Sequence, residues 1–204
     1  MPKPPDREAA LEQYRRRSGV YDLELALFEP IRREAIALLA PQPGETVIDF
    51  GCGTGLSLPL LRAAVGARGH LVGIEQSPDM IERARQRRAS HRWRNVELIC
   101  APVETARWQG KADAALFHFT HDVLQRPEAV AHALGTLRQG ARVVACGLRW
   151  APRWALAVNA GVYLAARRSI TTLAGLERPW RQLGPMQSSS RLFSAVYIAQ
   201  GRRP

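Results

Sequence analysis

The sequence predicts an α/β fold, a three-layer αβα sandwich in which a mostly parallel sheet is covered by helices on both faces. Short apolar runs typical of buried strands alternate with helical patterns between about residues 46 and 148. The first run ends in an acid and three glycines in five residues, in VIDFGCGTG at residues 47–55. Such a turn lets the backbone approach a bound molecule closely. With no visible repeat or linker, we expect one domain over residues 1–204.

The predicted elements follow in order along the chain. Helical patterns cover residues 6–17 and 22–40, and PQPGE ends the second. The predicted strands are TVIDF (46–50), HLVGIE (70–75), VELIC (96–100), ADAALFHF (112–119) and ARVVACGL (141–148), with helices at 56–65, 78–89 and 127–138 between them. The C-terminal part has an apolar segment at 154–166, a turn-rich stretch at 182–190 and a final strand at 192–200.

The chain carries a formal charge of +11 and has a pI near 10.8. Arginine supplies almost all of the positive charge, and the sequence suggests that it is spread along an alanine-rich chain. Compositional bias is therefore as good an explanation as a nucleic-acid or membrane partner. The basic run RARQRRASHRWR at 83–94 fits phosphate contacts, but a solvated helix face is the favoured interpretation. Nucleic acid is therefore a partner that we do not favour.

The sequence also bears on cellular location. It has no run of 18 apolar residues and no apolar stretch after its basic start, so we expect a cytoplasmic protein. Cys52, Cys100 and Cys146 have no C-x-x-C spacing and lie at or near the ends of apolar runs. They are predicted to be buried, reduced thiols.

The glycine turn has the spacing G-x-G-x-G, at Gly51, Gly53 and Gly55. It departs from the nicotinamide-binding spacing because Leu56 stands where that pattern needs glycine, and it has no lysine for a phosphate. A plain tight turn would also explain the glycines. A carboxylate at the end of the second predicted strand, Glu75, is where a ribose diol would be held.

The segments VIDFGCGTG, LVGIEQSPDMIERAR, DAALFHFTHDVL and GARVVACGL, in this order, resemble the class I S-adenosylmethionine-dependent methyltransferases over about residues 14–147. FTHDVL adds a weaker likeness to small phospholipid and quinone methyltransferases. The resemblance implies a Rossmann-like, seven-stranded sheet with its last strand antiparallel, and S-adenosylmethionine as methyl donor. It also implies N-terminal helices over the site (1–40), a cofactor-binding core (41–147) and an acceptor side (148–204).

The resemblance also assigns residues to the donor site. Asp49 would orient the methionyl ammonium, Glu75 would take the ribose hydroxyls, and Gln76 and Met80 would lie against the adenine. The full set is Tyr14, Asp49, Gly51, Cys52, Gly53, Gly55, Glu75, Gln76, Met80, Val103 and His118.

One loop departs from the family pattern. Pro102 stands where relatives commonly have an acid, so the Val103 amide would recognise the adenine, and the role of Glu104 is open.

Methyl transfer from a sulfonium is an in-line displacement, so the protein's main task is to align donor and acceptor. A base is needed only if the acceptor must lose a proton. His121, after the fourth strand, is the base candidate, and Asp122 either orients it or caps the next helix. Tyr21, with Tyr14, either closes over the donor or packs in the core. His118 and His121 form an H-x-x-H pattern that lacks a third metal ligand, so we expect no metal site.

The acceptor side contains an apolar segment at 150–168, with Trp150 and Trp154 at its start and Arg167 and Arg168 at its end. It fits a peripheral membrane contact or the wall of a greasy acceptor pocket, while core packing or a homodimer contact are the alternatives. We therefore expect methyl transfer to a small-molecule or lipid-like acceptor. The alternatives are an RNA methyltransferase and a non-catalytic module that binds S-adenosylmethionine.

Overall fold

The structure is a computed structural model that describes residues 5–17 and 28–203. Of residues 14–17 it describes the backbone alone. Two predicted site positions are affected: the Tyr14 side chain and the whole of Tyr21 lie outside the described residues.

The described strands form one sheet of seven, in the order β3-β2-β1-β4-β5-β7-β6. Their bounds are Thr46–Phe50 (β1), His70–Glu75 (β2), Val96–Cys100 (β3), Ala112–His118 (β4), Leu137–Leu148 (β5), Met186–Arg191 (β6) and Val196–Arg202 (β7). The first five strands pair in parallel, and β7 is antiparallel to both β5 and β6. The predicted Rossmann-like sandwich with an antiparallel last strand is thereby confirmed.

Helices cover both faces of the sheet. Their bounds are Arg7–Arg17 (α1), Glu29–Leu39 (α2), Leu58–Val65 (α3), Pro78–Ser90 (α4), His121–Leu124 (α5), Pro127–Gly135 (α6) and Leu156–Ser169 (α7). One hydrophobic cluster joins α2 and α3 to the sheet, and a second joins α6 and Trp180 to its other face. Successive strand residues point to opposite faces, so Leu71 of β2 enters the first cluster and Val72 the second.

The C-terminal strands differ from the sequence prediction. The stretch predicted to be turn-rich contains β6, whose residues pair with β7 from Met186 opposite Gly201 to Arg191 opposite Val196. β7 begins at Val196, four residues later than predicted, because residues 192–194 have positive φ values of 48°, 53° and 71° and form the hairpin turn. Polar side chains are accepted in β6 because it is an edge strand that is largely exposed to solvent.

One helix boundary also differs. The helix predicted to reach residue 138 ends at Gly135, since Leu137 already pairs with Ala112 as the first residue of β5.

The strand order places a crevice at one edge of the sheet. From β1 the chain continues outward to β2 and β3, whereas from β4 it continues in the opposite direction to β5. Neighbouring connections therefore diverge between β1 and β4, which is where open α/β sheets bind ligands, at the carboxyl ends of the strands. The glycine turn, Glu75 and His118 all lie at this edge.

Among the described helices, none combines the length and the apolar character that crossing a membrane requires.

Candidate functional site

The glycine turn is fixed to the end of β2. The Gly51 and Cys52 amides both donate to the Ile74 carbonyl oxygen, at 2.7 and 3.0 Å. Gly51, Gly53 and Gly55 have φ values of +70°, +55° and +79°, in the region that glycine reaches without steric cost. The turn therefore presents its backbone toward the crevice with no Cβ atoms at these three positions.

Glu75 holds the turn from the side. Its Oε2 accepts from the Gly53 amide at 3.1 Å, and its Oε1 accepts from the Ser77 amide at 2.8 Å, just before α4. Burial raises the pKa of the Glu75 carboxyl, and the Ser77 and Gly53 amides act in the opposite direction. Each oxygen has a second lone pair, so the carboxylate can organise the turn and still accept from a ligand hydroxyl.

Asp49 and Arg32 are buried charges of opposite sign beside the turn, with only 1% and 2% of their surface exposed. Within residues 5–17 and 28–203, neither Asp49 carboxylate oxygen has a hydrogen-bond partner, and neither do Nε and Nη2 of Arg32. The remaining nitrogen, Nη1, pairs with Glu29. Burial raises the pKa of Asp49 to about 7, although Arg32 lowers it. Unsatisfied buried charges are costly and mark a place where a ligand supplies the missing partners.

His118, at the end of β4, lies beside the same recess as Asp49 and Arg32. Its Nε2 atom is buried and has no partner in the described part of the chain. Burial and, less strongly, the Arg32 guanidinium together lower the pKa of His118 to about 3, so the ring is neutral at physiological pH. It therefore adds a polar atom and no charge to the site.

His121 is the first residue of α5 and is 6% exposed. Its Nε2 lies 2.9 Å from the Ala174 carbonyl oxygen, which can only accept, so this geometry assigns the proton to Nε2. Nδ1 then carries the lone pair, and among the described residues it has no partner. Burial lowers the pKa of His121, opposed by Asp122, so the ring is a neutral acceptor at pH 7.

Among the described residues, Asp122 forms its hydrogen bonds with Thr171, and no side chain caps α5 or α6. Its carboxylate accepts from the Thr171 amide at 3.1 and 3.2 Å and from the Thr171 hydroxyl at 2.7 Å. The Thr171 hydroxyl in turn accepts from the Asp6 amide at 2.9 Å. Asp122 thereby ties the segment after α7, and the start of α1, to the carboxyl edge of the sheet.

These residues line one cleft and a smaller recess next to it. The predicted residues that line the cleft are Gly51, Gly53, Glu75, Gln76, Met80, Val103, His118, His121 and Asp122. Asp49 and Cys52 line the recess together with Arg32. Gly55 instead supports the turn, because a Cβ there would lie 3.1 Å from Ala84 Cβ.

Sequence reasoning missed Arg32. The signal was present, since Arg32 interrupts the apolar stripe of α2 formed by Ile31, Ala35 and Ile36. A charged residue in such a stripe needs a buried partner.

Sequence reasoning also missed the cleft wall made by Arg126 and Glu104, whose Nη1 and Oε1 atoms are 3.0 Å apart. The residues lie 22 positions apart, so only the fold brings them together.

Comparison with known proteins identifies this architecture. The sequence profile of a family described as "Methyltransferase domain" matches residues 41–149, just over half of the chain. The chain belongs to the class I S-adenosylmethionine-dependent methyltransferases. S-adenosylmethionine is the methyl donor of this family.

Relatives and solved structures agree with this assignment. Aklanonic acid methyltransferase DauC of Streptomyces sp. (strain C5) is 33% identical over 114 residues, 55% of this chain and 51% of the relative. The 23S rRNA (uracil(1939)-C(5))-methyltransferase RlmD of Shewanella sp. (strain MR-4) is 39% identical over 88 residues, 41% of this chain and 19% of the relative. The methyltransferase chain thus spans about half or less of these relatives.

Among solved structures, a SAM-dependent methyltransferase from Aquifex aeolicus superposes with a TM-score of 0.63, covering 92% of this chain and 98% of that one at 16% identity. At this identity the likeness shows the fold alone.

The glycine turn generates a stability prediction. Gly55→Ala introduces a Cβ at positive φ that meets Leu58 Cδ1 at 2.7 Å, whereas Gly44→Ala, also at positive φ, meets nothing within 4 Å. We expect Gly44→Ala to lower the free energy of unfolding by about 1–2 kcal/mol through backbone strain. Gly55→Ala should lower it by about 1–3 kcal/mol more, because the core must shift. Urea unfolding measures the stability of both variants. Equal losses of unfolding free energy would show that Leu58 and Ala84 move aside without destabilising the protein.

Asp49 generates a pH prediction for the ligand-free methyltransferase. Its pKa rises from 3.8 when unfolded to about 7 when folded, so the folded state keeps a proton that the unfolded state has lost between these values. The free energy of unfolding should therefore fall as pH rises from about 4 to about 7, by up to about 4 kcal/mol. Asp49→Asn, which cannot titrate, should show a flatter profile in urea titrations across this range. Identical slopes in the two proteins would assign the dependence to other groups.

Proposed function

We propose that this chain transfers a methyl group from S-adenosylmethionine to a small-molecule acceptor. The observation that carries the donor part is the pair of buried, unsatisfied charges Asp49 and Arg32 beside the glycine turn. An α-amino acid group has a cation and an anion a few bonds apart, so it supplies a partner to each. No other part of the donor has this charge pattern.

The other donor residues fit the rest of the nucleoside. Gly51 and Gly53 have no side chains and so leave room for the methionyl and ribose portions, and Glu75 accepts from the ribose hydroxyls. Gln76 and Met80 line the part of the cleft that follows Glu75 and would contact the adenine, together with the Val103 backbone. Cys52, His118 and the N-terminal Tyr14 remain proposed donor contacts, along with Gly55 as a support of the turn.

When bound, the donor supplies a sulfonium methyl group, which the acceptor attacks in line with the leaving sulfur. His121 is proposed to receive the acceptor's proton on Nδ1, since its Nε2 proton is already committed to Ala174. Asp122 is a positioning residue that holds the segment at Thr171, and Tyr21 is proposed to close over the reacting groups. The residues of the chain thus bind, orient and accept a proton.

Residues 148–204 are proposed to form the acceptor side of a single domain. Ser169 and Ile170, at the end of α7, line the cleft beside His121, and Ala10 of α1 lines it from the N-terminal side. This arrangement agrees with residues 1–40 covering a core formed by 41–147.

The name of DauC refers to a small organic acid, which favours a small-molecule acceptor. RNA is the second candidate, favoured by the likeness to RlmD and by the positive charge. A module that binds the donor without turnover is the third. Incubation with labelled donor and separate small-molecule, lipid and RNA pools distinguishes them by the pool that becomes labelled, or by none.

Two ligands that differ in one part test the donor site. S-adenosylhomocysteine has the amino-acid group, and 5′-methylthioadenosine lacks it. We expect Arg32→Met to weaken S-adenosylhomocysteine binding by about 1.5–3 kcal/mol and to leave 5′-methylthioadenosine unchanged, because only the carboxylate contact is lost. Glu75→Ala should weaken both ligands by about 1–3 kcal/mol, because both have the ribose. Isothermal titration calorimetry measures all four combinations.

A wild-type protein that binds NAD tightly and neither sulfur ligand would refute the donor assignment. A loss of 5′-methylthioadenosine affinity in Arg32→Met, with unchanged thermal stability, would show that Arg32 does not act through the donor's carboxylate.

His121 is tested by comparing turnover with donor affinity. His121→Gln keeps a donor for the Ala174 carbonyl but has no basic nitrogen, so it should lower turnover about a hundredfold or more. S-adenosylhomocysteine affinity should stay within about twofold, because the residue faces the acceptor in this proposal. The assay uses whichever acceptor pool becomes labelled, and Asp122→Asn is the matched variant that affects Thr171 without removing the base. Equal turnover in His121→Gln and wild type would show that His121 is a packing residue and not the base.

A further inference from the structure

We propose that this chain binds reversibly to anionic lipid surfaces through Trp154 and the outward face of α7, which we call the docking surface. This inference concerns a surface outside the cleft and does not depend on methyl transfer. Trp154 is 83% exposed, and Leu156 and Leu164 are 76% and 61% exposed. Several large apolar side chains exposed within one short segment favour an interaction site.

The exposed side chains fall on one face of the helix. Leu156, Tyr163, Leu164 and Arg167 are exposed and recur at the helical spacing, while Val162 and Ala166 on the opposite face are buried against the sheet side. Within α7 the charged residues are Arg167 and Arg168, in its last turn. A helix of 14 residues with an apolar outer face and cations at its end is suited to lie in the plane of an interface.

The positive charge of the chain lies mostly in its C-terminal part, which corrects the impression that the arginines are evenly spread. The residues after Glu128 contain eleven arginines, no lysine and a single acid, Glu177, so they carry +10 of the formal charge of +11. The first 128 residues are almost neutral. An anionic surface is complementary to this half of the chain.

Some of these arginines form ion pairs and others near α7 do not. Arg138, Arg142 and Arg191 pair with Asp113, Glu45 and Glu34. In the part of the chain that the structure describes, Arg149, Arg153 and Arg167 have no carboxylate partner; the guanidinium groups of Arg149 and Arg167 instead lie 5.7 Å from the ring centres of Trp180 and Tyr163. Their charge is available to phosphates of a headgroup layer.

A second apolar element lies at the same edge of the sheet. The β6–β7 turn presents Phe193, 88% exposed, and Leu192, 51% exposed. Ala195 in this turn accepts from the Arg149 amide at 2.9 Å, which fixes the turn beside the start of the segment that leads to Trp154. An aromatic ring and aliphatic side chains next to arginines favour lipid over RNA, because RNA offers no apolar interior for leucine side chains.

The docking surface leads to the cleft. The last residue of α7, Ser169, and the next, Ile170, line the cleft near His121. A chain seated on a bilayer through α7 would therefore have the acceptor end of its cleft close to that surface.

Vesicle sedimentation tests the proposal with the full chain. The probes are vesicles of neutral phosphatidylcholine and vesicles with increasing fractions of phosphatidylglycerol, at low and high salt. We expect binding that rises with the anionic fraction and falls with salt. Trp154→Ser and the double variant Arg153→Gln/Arg167→Gln should each lower the partition coefficient about tenfold.

Matched controls separate the docking surface from general positive charge. Arg88→Gln/Arg94→Gln removes the same charge from exposed positions around α4, and Leu38→Ser changes an exposed apolar residue in the last turn of α2. Both should bind like wild type, and circular dichroism checks that every variant is folded.

Absence of binding at low salt overturns the proposal, as does an equal loss in the arginine control. RNA retention that falls in the docking-surface variants, without vesicle binding, would replace lipid by RNA as the partner.

Discussion

The hydrogen bonds that join the glycine turn to the end of β2 are the constraint on which the rest of the site depends. Two amides of the turn share the Ile74 carbonyl oxygen, and Glu75 accepts from the Gly53 amide. Because Glu75 also accepts from Ser77 at the start of α4, one carboxylate sets the turn and the helix relative to each other. The cleft lies between them, so its width follows from these bonds. A side chain in place of Gly51 would enter this geometry and meet Thr120.

Electrostatics in the recess follow from the same packing. Asp49 is buried because its side chain points, like that of Val47, to the face of the sheet that α2 covers, and Arg32 of α2 lines the same recess. In a low-dielectric recess each charge strongly affects its neighbours, which is why Arg32 lowers the pKa of both Asp49 and His118. The recess thus contains two opposite charges without a full set of hydrogen bonds for either, and the proposed contact with a zwitterionic group is based on this feature.

The C-terminal part of the chain is coupled to the cleft through Asp122 and His121. Asp122 holds Thr171, and His121 contacts Ala174, so the short α5 helix anchors the segment that follows α7 at two points. That segment supplies the cleft wall at Ile170, while α7 itself turns an apolar face outward.

Features that depend on local pattern can be predicted from the sequence. Alternating strand and helix periodicities predicted the parallel part of the sheet, and G-x-G-x-G with Asp49 and Glu75 at strand ends predicted which residues meet at the carboxyl edge. Contacts between residues that lie far apart in the chain follow from the tertiary packing alone. They are Asp122 on Thr171, His121 on Ala174, the pairing that makes the polar residues 186–191 a strand, and the placement of Arg32 and Asp49 in one recess. The physical reason is that periodicity records which face of an element is buried, whereas a hydrogen-bond partner or a strand register is fixed only when distant segments pack together.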